Sequence, residues 1–181
     1  MNQVIFISGT PCVGKTTLAS ELSKRLGANL VKINELAINN DLVLGTDSKK
    51  GYKIIDIDKL DVVLGKIIDK LDSDKLLIVE GHLSHLCAGA DKVIILRLNP
   101  TILEKRLASR DYSESKIREN LEAEALDVCG AEAYEAYGED VCEIDVSNLA
   151  IDDIINHVVD VIFDKKDFPF GEIDFMDWLI S

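Results

Sequence analysis

The sequence predicts an α/β domain, a parallel sheet covered by helices. Two observations carry that reading. Short β-branched runs alternate with stretches of helical periodicity along the 181 residues. The first such run, Val4-Ile5-Phe6-Ile7-Ser8, leads straight into Gly9-Thr10-Pro11-Cys12-Val13-Gly14-Lys15-Thr16, which matches the pattern G-x-x-x-x-G-K-[ST] in the strand–loop–helix context that the pattern requires.

The elements follow in order. The first strand covers about 3–8, and the helix behind the loop carries Leu18, Leu22 and Leu26 at helical spacing, with Gly27 as its stop. Leu30-Val31-Lys32-Ile33 reads as a second strand. Residues 34–57 are less regular, with a short helix starting around Leu36-Ala37-Ile38 and a polar, glycine-bounded loop from Gly45 to Gly51. Asp58 reads as the cap of a helix on which Leu60, Val63, Leu64, Ile67, Ile68 and Leu71 share a face. Leu76-Leu77-Ile78-Val79 is the third strand and ends at Glu80-Gly81. Val93-Ile94-Ile95-Leu96 is the fourth, and Asn99-Pro100 opens the helix after it. One long helical pattern runs from Ser113, with Ile117, Leu121, Ala125 and Cys129 four apart. Val141-Cys142-Glu143-Ile144 is the fifth strand, and Ile151, Ile154, Ile155, Val158 and Ile162 line one face of the last helix. The tail, about 164–181, is acidic and aromatic. Length and pattern give one domain over 1–181, with no repeat or linker.

Composition narrows the function classes. Apolar residues make up 47% of the chain, enough for a core, and the longest apolar runs are far too short to span a bilayer. The N-terminus lacks a signal-peptide pattern. Four scattered cysteines (12, 87, 129, 142) without a C-x-x-C pair suit a reducing compartment, so the expected localisation is cytoplasmic. Net charge is −13 and uneven. Residues 1–110 hold 16 basic and 13 acidic side chains, whereas 111–181 hold 4 basic and 20 acidic. An acidic half disfavours direct, non-specific nucleic-acid binding. It reads either as a solvated surface or as a docking face for a basic protein.

The glycine loop implies a bound nucleoside triphosphate. Gly9 and Gly14 let backbone N–H groups approach phosphate oxygens, the helix N-terminus adds partial positive charge, Lys15 reaches the outer phosphates, and Thr16 can hold Mg²⁺. Glu80, at the carboxyl end of a central strand, is the expected second oxygen donor for the ion. His82 and His85 have H-x-x-H spacing with no third metal ligand apparent, so His82 stands as a candidate catalytic group rather than a zinc ligand. Arg106 and Arg110 lie one helical turn apart ahead of Asp111-Tyr112-Ser113, a break suited to a moving lid that neutralises a migrating phosphoryl group.

Taken together, Gly9–Thr17, Glu80-Gly81-His82 and the stretch from Arg106 through Arg110, Tyr112, Lys116 and Asn120 to Glu124 resemble the adenylate kinase isoenzyme six family, over about 3–163. The resemblance implies a three-layer P-loop nucleoside monophosphate kinase fold with a central parallel five-stranded sheet, a monophosphate-binding segment at about 33–55 and a short lid at about 109–119. It implies ATP and Mg²⁺ as cofactors. Cys12, Val13, Gly14, Lys15, Thr16, Thr17 and Arg110 would lie at the ATP site, Ser147-Asn148 at the adenine, and His82 would be linked to ATP hydrolysis. It further implies AMP or another nucleoside monophosphate as acceptor, and transient binding of a basic small-subunit ribosomal protein of the uS11 type during ribosome maturation. Three features depart from the family pattern. Glu80 stands where many relatives have Asp, Ile38 where eukaryotic relatives have a basic residue, and Asp111 where a lid glycine is usual. With Ile38 there, Lys32, Lys49, Lys50 and Lys53 are the candidates for holding the acceptor phosphate, and the tail beyond about 163 has no counterpart in the resemblance. The competing readings are an ATPase assembly switch and a kinase of another small metabolite.

Overall fold

The computed structural model describes residues 3–47 and 52–180; Lys49 and Lys50 lie outside the described residues. Five parallel strands form the central sheet in the order β2-β5-β1-β6-β7, with β1 (Gln3–Ser8) in the middle, flanked by β5 (Leu76–Glu80) and β6 (Lys92–Arg97), and with β2 (Asn29–Lys32) and β7 (Val141–Asp145) outside them. Every one of these strands was legible as an apolar run. The central three, β1, β5 and β6, are buried on both faces and need no polar alternation, whereas edge strand β2 is partly exposed.

Helices cover both faces. Ile5 and Ile7 of β1 and Ile94 and Leu96 of β6 pack under α1 (Lys15–Leu26), α4 (Pro100–Ala108), α5 (Glu114–Ala125) and α7 (Ile151–Ile162). Their pleat neighbours Val4, Phe6, Val93 and Ile95 face the other way, against α2 (Ile33–Asn39), α3 (Ile57–Ile68) and α6 (Val128–Tyr137). The strand period of two thus divides the core into two layers of side chains. In α7 the apolar stripe is buried through Ile155, Val158, Val161 and Ile162.

Four details differ from the sequence reading. Residues 34–57 hold an antiparallel hairpin, β3 (Val43–Thr46) paired with β4 (Lys53–Ile55), as well as the short helix. The cap of α3 is Asp56, whose carboxylate accepts from Lys59 N at 3.1 Å; Asp58 is the second residue of the helix, in its first turn. Ile33 starts α2 rather than ending β2. The helical pattern from Ser113 is broken at Asp127, which turns left-handed (φ 54°) and caps α6 by accepting from Gly130 N at 3.1 Å. The tail runs back along the β7 edge: Glu143 N donates to Phe168 O at 2.9 Å and Pro169 bridges Cys142 in antiparallel sense. Phe168 and Trp178 pack on the core, Phe168 beside His157 of α7 and Trp178 in a short turn that meets α5.

Candidate active site

The phosphate loop leaves the central strand at its carboxyl end. Gly9 takes φ 130°, and a Cβ there would stand 2.6 Å from the Leu96 carbonyl oxygen, so the loop presses against β6 in a way only glycine permits. Cys12 (φ 71°) and Gly14 (φ 115°) take left-handed turns that shape a nest of backbone amides. Lys15 is buried, and its Nζ donates to Gly9 O and Thr10 O at 2.8 Å each. Burial lowers its pKa, opposed in part by the charges of Cys129, Glu80, Glu124 and Cys12. A buried ammonium that meets only carbonyls has room in its electrostatics for an anion. Cys12, Gly14, Lys15, Thr16, Thr17, Arg106, Ser109 and Arg110 enclose a cavity of about 360 Å³. Of these only Ser109 was not singled out in the sequence. Arg106 Nη1 donates to Cys12 O at 3.3 Å and Val13 O at 3.2 Å, bracing the loop, whereas Arg110 is exposed at the cavity rim. The Val13 side chain is core packing. Asn148 is exposed in the turn after β7, outside the cavity lining, and neighbouring Ser147 accepts from Asn99 N at 2.8 Å.

The β1–β5 register sets Ile7 beside Glu80, so the strand-end acid faces the loop. Gly81 follows with φ 152°; a Cβ there would stand 2.9 Å from Ile33 Cβ, and its absence lets α2 start against the end of β5. Thr16 Oγ1 donates to Glu80 Oε1 at 3.2 Å. A hydroxyl and a carboxylate oxygen are the hard donors that suit Mg²⁺, with phosphate and water oxygens completing its shell. The two histidines face apart. His85 is buried: its Nδ1 lies 2.7 Å from Ser8 Oγ and its Nε2 2.9 Å from Glu132 Oε2, tying the end of β1 to α6. His82 borders the open space beyond the loop. Burial first, then the charges of Lys15, His85 and Lys116, lower its pKa to about 4, so it is neutral at pH 7 and able to accept a proton.

Two further cavities adjoin. One of about 470 Å³ reaches from Cys12, Lys15 and Thr16 past Glu80 and His82 to Tyr52, Lys116 and Asn120. The other, about 490 Å³, is walled by Ile38, Ile55, Ile57, Leu83 and Leu86, with Asn34, Tyr52, Lys53, His82 and Lys116 as its polar groups. The phosphate loop therefore opens into an apolar chamber, through a passage bordered by His82 and Lys116. Of the lysines proposed from sequence to hold an acceptor phosphate, Lys53 lines the chamber and Lys32 pairs with Glu35 at 3.0 Å.

Behind the loop lies a charge cluster that sequence reasoning missed. Arg97, 1% exposed at the end of β6, pairs with Glu124 (3.1 Å), Asp127 (2.9 Å) and Glu143 (2.9 Å). Three carboxylates outweigh burial and raise the guanidinium pKa. Glu124 also accepts from Leu98 N at 2.9 Å and, in a short bond, from the Thr10 hydroxyl of the phosphate loop. The tail closes the cluster: Gly171 N donates to Glu143 at 2.9 Å, and the Phe175 ring lies 5.3 Å from the guanidinium.

A family model described as AAA domain matches residues 5–127. Among solved structures, shikimate kinase from Acinetobacter baumannii in complex with shikimate superposes with TM-score 0.64 at 17% identity, covering 92% of this chain and 96% of that one. Thymidylate kinase from Candida albicans gives 0.59 at 15% identity, covering 90% and 92%. The fold is the one these P-loop kinases share, with the phosphate loop at the carboxyl end of its central strand. In sequence, a protein named "Putative adenylate kinase" from Methanothermobacter thermautotrophicus is 42% identical over 178 residues, covering 98% of this chain and all of that protein. Its namesake from Methanocaldococcus jannaschii is 38% identical over 163 residues, covering 90% and 88%. The chain belongs to this archaeal family, the one its motifs resemble, and the first of these alignments runs beyond residue 163 into the tail. Among the described residues no helix is long and apolar enough to cross a membrane.

Proposed function

We propose that the protein transfers the terminal phosphoryl group of ATP to a nucleoside monophosphate, AMP first among them. The observation that carries this is the continuity of the cleft: a cavity of about 360 Å³ on Lys15 adjoins a polar passage that leads into a largely apolar chamber of about 490 Å³. The names of the archaeal relatives support the choice of acceptor. In this reading Gly9–Thr17 cradles the triphosphate, Lys15 and the Arg106/Arg110 pair neutralise the migrating group, and Asn148 borders the adenine. Thr16 and Glu80 would hold Mg²⁺, which when bound offsets charge on the phosphate oxygens. Residues 33–55 form the acceptor segment. Residues 109–119 act as the lid, excluding water as they fold over the loop.

A second reading, hydrolysis of ATP coupled to binding of a basic ribosomal protein of the uS11 type, is favoured by one observation. His82 lines the passage together with Glu80 and Lys15, where its ring can orient a water. The strongly acidic half from residue 111 suits a basic partner.

Incubation with Mg-ATP, with and without each monophosphate, separates the two. Diphosphate products with little free phosphate mark the kinase. Phosphate release indifferent to AMP but raised by the basic protein marks the switch. Lys15→Ala should abolish both activities, and full activity in that variant would sink the site assignment.

A further inference from the structure

The acceptor chamber has no cation on α2, since Ile38 faces it, so an acceptor's phosphate must be met from elsewhere. Lys116, in the first turn of α5, stands apart from the other lysines. Its Nζ lies 3.9 Å from the centre of the Tyr112 ring and 4.3 Å from that of Tyr52. Tyr52 belongs to the stretch entering β4, and Tyr112 to the turn between α4 and α5. Asn120 fixes the stack: it is buried, and its Nδ2 donates to the Tyr52 hydroxyl at 3.1 Å and to Lys116 O at 2.7 Å. Lys24, Lys32, Lys59 and Lys92 each pair with a carboxylate, but among the described residues none lies within ion-pair distance of Lys116. An ammonium held by ring faces keeps its full charge and its N–H donors available to an anion.

Position decides which anion. Lys116 borders both the apolar chamber and the passage to the phosphate loop, whereas Lys53 borders the chamber alone. A monophosphate whose base fills the chamber must hold its phosphate in that passage, pointing at the donor. We propose that Lys116 is the ligand of the acceptor's phosphate, clamped by Tyr52 and Tyr112, so that one cation joins the acceptor segment to the turn that follows Arg110. This assignment rests on the kinase reading for the identity of the ligand, and its test reads binding separately from turnover.

The test is calorimetric titration of the wild type, Lys116→Met and Lys116→Arg with AMP, GMP, CMP and UMP, and with the nucleoside of whichever binds tightest. The wild type should bind that monophosphate more tightly than its nucleoside. Lys116→Met should weaken the monophosphate about 10- to 100-fold, as expected for losing a charge-assisted contact. The nucleoside should bind the variant as before, which also shows that the chamber remains folded. Lys116→Arg should recover part of the loss. A wild type that binds no monophosphate more tightly than its nucleoside, or a Lys116→Met protein that keeps the preference, overturns the proposal. Monophosphate binding through Lys116 without any diphosphate product would instead overturn the kinase reading and leave Lys116 standing. Transfer with unchanged monophosphate affinity in Lys116→Met would do the reverse.

Discussion

Replacing Glu124 with glutamine tests whether buried charge holds the phosphate loop to the sheet. The two carboxylate oxygens serve three donors: Arg97 Nε, Leu98 N and the Thr10 hydroxyl. Glutamine can keep its oxygen on Arg97 and Leu98 and turn its amide toward Thr10, whose hydroxyl rotates to accept. The shape survives and the charge is lost. A bond to an ionised group is worth about 1 kcal/mol more than a neutral one. Three such bonds, partly offset because Arg97 keeps Glu143, give a loss of about 2 kcal/mol. For a domain of this size that is a fall in Tm of about 4–8 °C. Glu124→Ala also strands buried donors and should cost about 4–5 kcal/mol. Urea denaturation at pH 7 with a shared m-value measures both. A glutamine variant within about 0.5 kcal/mol of wild type would refute the charge argument, and one as damaged as the alanine variant would show that shape, not charge, matters.

Other outcomes follow from neighbouring features. The Asp127 carboxyl is pushed up to about 8, by burial and by Glu143 beside it. The native state therefore binds an extra proton between the ordinary carboxylate range and pH 8, so this group makes stability fall as pH rises through that window. Asp127→Asn, which tolerates the left-handed backbone and mimics the protonated form, should flatten that decline; an unchanged pH–stability curve would count against it. Gly9→Ala must push its Cβ away from the Leu96 carbonyl, so nucleotide binding should be lost and about 3 kcal/mol of stability with it, read by calorimetry and denaturation. An NMR titration should find the His82 midpoint near 4, and Lys15→Met should raise it while burial keeps it below the ordinary histidine value. A chain ending at Asp164 should lose roughly 3 kcal/mol as Phe168 and Trp178 leave the core, with faster aggregation seen by light scattering.

What was legible in the sequence follows from which signals are local. Strands such as Val93–Leu96 announce themselves by apolar composition, and the phosphate loop by glycines whose need is written into the backbone. The hairpin at 43–55 was missed because its strands are only four and three residues long and leave apolar Leu44 and Ile54 exposed, so no alternating buried face marks them. The break at Asp127 hid within an unbroken four-residue spacing from Ile117 to Cys129; the one local clue was an aspartate three residues before a glycine, where a Cβ would collide with Asp127 Oδ1. Glu124 and Glu143 look like surface acids in a strongly acidic half, yet both are buried around Arg97, and only the tertiary fold brings Arg97 to them. Lys116 stood in the sequence only as one residue of the stretch that carries the resemblance, because its stack is made by two segments 60 residues apart in the chain.

The returning tail also sets an order of events during synthesis. β7 pairs with β6 on one side, but its outer side is met by Phe168 and Pro169 and can be covered only once those later residues are present. Until then a nascent chain carries an unguarded row of amides and carbonyls, the template on which neighbouring chains join. A chain cut between residues 145 and 168 would therefore keep a complete nucleotide loop but leave this sheet edge open to association.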